Sequence, residues 1–119
     1  MMNILKFDWA KVLAYLLVAF FIVGSITNLI SPDNITEQYA RWGYPSWFHL
    51  ITGSLELITA LFLLSSRFRF WGAALGCTVM LAATATVVWH QEYAHAGAPI
   101  LVFVLTAVLG YFNRPSSKR

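Results

Sequence analysis

Trp47-Phe48-His49-Leu50-Ile51-Thr52-Gly53-Ser54-Leu55-Glu56-Leu57-Ile58-Thr59-Ala60-Leu61-Phe62-Leu63-Leu64 is an apolar run of 18 residues broken by one carboxylate, Glu56. As an α-helix it reaches about 27 Å, the scale of a bilayer's hydrocarbon core. A charged residue at the centre of such a span costs about 2.5 to 3.5 kcal/mol on insertion scales. An acid placed there therefore marks a candidate functional position.

Working outward, three further apolar runs appear: Ala10 to Ile30, Phe68 to Trp89 and Ala98 to Phe112. The 119-residue chain is 59% hydrophobic and 11% charged, with a mean hydropathy of +0.66. Backbone amides in lipid must be satisfied within a helix or a closed barrel, and these runs lack the polar alternation of barrel strands. The sequence predicts one all-α domain over residues 1–119, an integral membrane antiparallel four-helix bundle with spans at about 10–30, 47–64, 68–89 and 98–112. The first run, preceded by Lys6 and Lys11, is longer than a signal-peptide core and lacks a good cleavage pattern, so it reads as an anchor.

The net charge of +3 does not gather on one soluble face, which argues against nucleic acid. Lys6, Lys11, Arg67, Arg69, Arg114, Lys118 and Arg119 fall on one side of the spans and Arg41 alone on the other. By the positive-inside rule both termini face the cytoplasm. The tail from Pro115 to Arg119 reads as disordered.

Between the first two spans, Ile35, Tyr39 and Trp42 recur at helical spacing, and Glu37 and Arg41 are spaced as a helical ion pair. A short amphipathic helix over about 33–42 is predicted on the outer surface, as a lid over the bundle or an interfacial anchor. Gly43-Tyr44-Pro45 ends it.

His49, Thr52, Gly53, Glu56 and Thr59 trace one small and polar stripe that should face the bundle interior. Counting inward from the span ends puts Glu56 and Thr106 at similar depth, with Ser25 and Thr84 nearer the outer surface. Together they outline an outward-facing polar pocket. Phe48 and Trp89 would supply its walls, and His49 and His90 a proton link to the exterior. The alternative for Glu56 is a structural acid, protonated and hydrogen-bonded to a neighbouring helix.

His49, His90, His95 and Glu92 share the outer side but match no metal-ligand motif, so no metal is expected. The lone Cys77 excludes an internal disulfide and reads as a helix-packing residue. Phosphate loops, nucleophile elbows and dinucleotide fingerprints are absent. Electrons for any redox reaction must then come from a bound ligand or a partner. Gly72 and Gly76 form a small-xxx-small pair, a surface for a partner helix or a second copy of the chain.

Gly43-Tyr44-Pro45-Ser46-Trp47-Phe48, Gly53-Ser54-Leu55-Glu56-Leu57 and Ala60-Leu61-Phe62-Leu63-Leu64 resemble the DoxX-like family. The basic turn Arg67 to Arg69, Gly72-Ala73 and the Ala-rich stretch leading to His90 add to the resemblance, which covers roughly Val12 to Phe112. It implies a small four-helix integral membrane protein of the bacterial inner membrane. Family members include the small subunit of a thiosulfate:quinone oxidoreductase and components of other membrane oxidoreductase complexes. The resemblance thus implies a quinone-like lipophilic ligand and a membrane or soluble redox partner, with Glu56 and Gly53 matching the family pattern. A non-catalytic accessory or assembly subunit is the rival expectation.

Overall fold

The computed structural model describes residues 8–115, so Lys6, Lys118, Arg119 and the tail beyond Pro115 lie outside it. Five α-helices follow in order: α1 (Trp9–Ile30), α2 (Asp33–Arg41), α3 (Phe48–Leu64), α4 (Arg69–Trp89) and α5 (Gly97–Phe112). A single 3-10 turn, Tyr93–His95, precedes α5, and no strand occurs among the described residues. The helices α1 and α4, and the stretch from Tyr93 to Phe112, are long and apolar enough to cross a membrane. At 17 residues, α3 is equally apolar but shorter.

Each helix boundary has a local cause. The Asp8 carboxylate accepts from the Lys11 amide at 3.0 Å and caps α1. Ser31 closes it in the left-handed conformation, its N–H donating to the Thr27 carbonyl at 2.8 Å. Gly43, at φ 83°, makes the reversal between α2 and α3 that an L side chain resists. Arg69 folds back over the end of α3, its guanidinium donating to the Leu63 carbonyl at 2.8 Å and to that of Leu64 at 3.4 Å. One of the basic residues read as a topology signal is thus also a helix cap.

The apolar helices pack antiparallel in chain order, α1 on α3, α3 on α4 and α4 on α5, with α5 returning to α1. Opposed pairs fix the direction: Leu29 meets Gly53 and Gly24 meets Glu56, while Gly72 meets Phe62 and Gly110 meets Ala73. The core is mostly aliphatic and small, including Ala14, Leu17, Phe21, Ala60, Leu63, Ala73 and Leu109. Leu16, Val23, Ile30, Leu61, Leu81 and Leu101 point outward. An apolar belt of that kind is costly in water and natural against lipid. The Gly72 and Gly76 face is used inside the chain: Gly72 lies on Phe62 and Leu63, and Gly76 on Thr59, Phe21 and Thr106. It is therefore not a free surface for a partner helix.

The surface helix α2 does not use the Glu37–Arg41 pair that its spacing allows. Arg41 instead reaches Glu92 in the α4–α5 loop, donating from Nε at 3.1 Å and from Nη2 at 2.9 Å. The indole N–H of Trp42 adds a third bond to the same carboxylate at 3.0 Å. A forked guanidinium matches a carboxylate better than a single helical contact does. Its charge-assisted bonds pull the Glu92 carboxyl down to about 2.

Two predictions follow from this packing. Gly72→Ala would put a Cβ 2.8 Å from that of Phe62, so it should destabilise the detergent-solubilised protein by about 1 to 3 kcal/mol in thermal unfolding. Gly97→Ala, where a Cβ meets nothing within 4 Å, should be neutral or slightly stabilising. For the latch, a depressed carboxyl pKa means a contribution fully present above about pH 4.5 and lost as pH falls toward about 2. Trp42 fluorescence should report that acid transition, and Glu92→Gln should remove it.

Candidate functional site

The C-terminal half of α1 carries Gly24 and, one turn on, Asn28; both face Glu56 on α3. A Cβ at Gly24 would stand 2.5 Å from Glu56 Oε2, so a side chain there would force this carboxyl to move. Gly53 does the same one turn along α3, where a Cβ would stand 2.8 Å from Leu29 Cγ. The two bare positions let α1 and α3 close around an acid that is 4% exposed.

Asn28 organises the polar groups. Its amide donates to the Gly24 carbonyl at 3.0 Å and to Glu56 Oε1 at 2.7 Å, which uses both of its hydrogens. Its Oδ1 accepts from the Tyr39 hydroxyl of α2 at 2.7 Å. Burial holds that phenol above its ordinary value, so Tyr39 remains a donor. The backbone carbonyl of Asn28 would normally accept from the residue four positions on, but that residue is Pro32, which has no N–H. The His49 Nδ1–H fills the gap at 2.8 Å. His49 therefore closes the end of α1, and its Nε2 is the nitrogen left for other partners.

Beside this network lies a cavity of about 290 Å³ between α3 and α4, roofed by α2. Glu56 and Asn28 form its polar floor. Phe48, Leu55, Val79 and Met80 contribute apolar walls, while Tyr39, Trp42 and Gln38 close the roof. The Tyr44 ring stacks on Phe48 at 4.5 Å. Because the Thr86 hydroxyl donates to the Ala82 carbonyl at 2.9 Å, the Tyr44 hydroxyl is the donor in its 2.7 Å bond to Thr86. Roof and walls are thus tied to both α1 and α4. Glu56 Oε2 and the Gln38 side-chain amide take no hydrogen bond among the described residues.

Of the residues singled out in the sequence, Glu56, Thr52 and Phe48 line this cavity, and His49 and Gly53 support it from α3. The others do not gather there. Ser25 is buried at the α1 core, and Thr84 donates to the Met80 carbonyl of its own helix at 2.9 Å. Thr106 packs against Gly76 with its hydroxyl unpartnered and lines a different pocket, with Ala73, Cys77 and Gly110. His90 donates from its ring to the Thr86 carbonyl at 2.9 Å and lines a separate outer crevice with Trp42, Tyr44 and Trp89. Trp89 is 83% exposed and walls nothing in the cavity. Equal depth along a helix does not fix rotation about its axis, which is why the depth count grouped residues that point in different directions.

Asn28, Gly24, Gln38, Tyr44 and Thr86 escaped the sequence reading. One signal was available: Asn28 stands four residues after Gly24 and four before Pro32, so its carbonyl is bound to need an outside donor. Among the described residues no three His, Cys, Asp or Glu side chains converge as a metal site.

The profile of the DoxX-like family matches residues 12–109. No curated protein and no solved structure matches the chain. The matched stretch runs from the start of α1 nearly to the end of α5 and contains every residue that lines the cavity. With that coverage and its long apolar helices, the chain is a membrane protein that belongs to the DoxX-like family.

Proposed function

We propose that the protein spans the bacterial inner membrane four times, with both termini cytoplasmic, and binds a small quinone-like ligand in the cavity around Glu56 as a component of a membrane oxidoreductase system. One observation carries the ligand reading: a buried carboxyl with a free oxygen forms the floor of an apolar cavity of about 290 Å³ with an aromatic roof. Ligand pockets begin near 300 Å³, and an apolar cavity of about 150 Å³ already holds a benzene ring. The space suits one substituted ring.

The polar groups suit a ring with an oxygen at each end. Glu56 at the floor gives or accepts a proton or hydrogen bond at one end, and the Gln38 amide at the roof is free to donate at the other. A bound quinone supplies two-electron, two-proton chemistry, and its electrons would pass to or from a membrane or soluble partner. Asn28 fixes the carboxyl's orientation, and the aromatic roof keeps water from it. The orientation in the membrane is supported by Lys11, Arg67, Arg69 and Arg114 at one end of the helices and by Arg41 at the other.

Glu56→Gln keeps the side chain's shape but removes its exchangeable acid, and should weaken binding of a ring quinone about tenfold or more in Trp-quenching titrations. Gly24→Ala should act in the same direction by displacing the carboxyl. Unchanged binding in Glu56→Gln would remove the acid from the reading. If the unaltered protein retains no quinone on gentle solubilisation but co-purifies with another membrane subunit, the accessory-subunit role takes its place.

A further inference from the structure

The cavity is closed above and below but not on its flank. Two of its lining residues are exposed, Ile51 on α3 and Ala82 on α4, one on each of the helices that flank it. The remaining lining residues are buried or half-buried, including those of the α2 roof. The way out therefore leads sideways, toward the surface where Leu61, Leu57 and Leu81 are also exposed.

The cleft has a cause in the packing. At the end of the helices near the Ser65–Phe68 turn, Gly72 brings the α4 backbone against α3, where a Cβ would stand 2.9 Å from the Leu63 amide nitrogen. Toward the other end Tyr44 bridges the helices, its ring stacked on Phe48 of α3 and its hydroxyl bonded to Thr86 of α4. Contact at one end and an aromatic wedge at the other hold α3 and α4 apart along Ile51 and Ala82. Below that opening, Ile51, Leu55 and Ile58 form one aliphatic stripe at helical spacing, with Ile51 and Ile58 each 41% exposed.

We propose that the opening between Ile51 and Ala82 is a lateral portal, and that the ligand is an amphiphile whose polar ring sits at Glu56 while its hydrocarbon tail leaves through the portal and lies along the Ile51–Ile58 stripe. The inference rests on the ligand-binding reading above and adds the tail and its path. A cavity of about 290 Å³ that holds a substituted ring has no space left for a long chain. An apolar tail gains nothing by crossing the polar latch of α2 and gains dispersion contacts along an aliphatic stripe.

The test compares two probes at equilibrium on the full chain in nanodiscs: a dimethoxy-methyl-benzoquinone without a tail, and the same ring carrying a decyl chain. Because partition into lipid is common to all variants, each affinity is read as a ratio to the unaltered protein. Ala82→Trp and Ile51→Trp, at the two exposed lining positions, should weaken the decyl probe about tenfold. The same variants should weaken the tailless ring much less, so that the ratio of the two affinities shifts by about fivefold or more. Leu16→Trp, exposed on α1 and outside the cavity lining, should alter neither. Equal losses for both probes, or no loss for either, would overturn the portal while the ligand-binding reading stands. If neither probe binds the unaltered protein, the ligand-binding reading falls and takes the portal with it.

Discussion

The bond from the Asn28 amide to the Glu56 carboxyl holds together the end of the bundle that α2 covers. An acid in an apolar bundle is tolerated only with partners of good geometry, because an unsatisfied buried polar group costs about 1 to 3 kcal/mol and a charged one more. Asn28 supplies that partner from α1, and Gly24 and Gly53 let the backbones close until the bond reaches 2.7 Å. With α1 and α3 joined so closely, the chain between them has little freedom. It must fold over the end of the pair, and α2 lies there.

Tyr39 then connects this roof to the floor through the same Asn28 side chain, while Arg41 and Trp42 fasten its other end to Glu92. An amide whose two hydrogens and one acceptor lone pair are engaged cannot turn over without breaking three bonds. The asparagine is therefore a rigid joint between α1, α2 and α3, and the carboxyl it holds keeps one oxygen free. This pre-organisation is what a small polar ligand needs in an otherwise apolar space.

The helices, the amphipathic surface helix with Ile35, Tyr39 and Trp42 at helical spacing, and the inward direction of Glu56 are legible in the chain, since these rest on hydropathy and on 3.6-residue spacing. Expectation from the chain goes astray wherever two helices have to be rotated against each other. Ser25, Thr84 and Thr106 have suitable depth but face other neighbours, and Gly72 with Gly76 serves contacts inside the chain. The Glu37–Arg41 spacing is a sound helical pair in isolation. A bidentate partner 51 residues away outcompetes it because the α4–α5 loop folds next to α2.

Sequence alone determined that long apolar helices alternate with short polar turns, that a carboxylate lies within one of them, and that the chain has the pattern of the DoxX-like family. Both kinds of signal are local, being the cost of charge in lipid and the periodicity of a helix. Tertiary structure decided that Asn28 is the partner of that carboxylate, that α2 roofs a cavity instead of only lying on a surface, and that the cleft opens between α3 and α4. Those outcomes depend on the relative rotation and spacing of helices, which are set by side-chain packing between distant segments and leave no period in the chain.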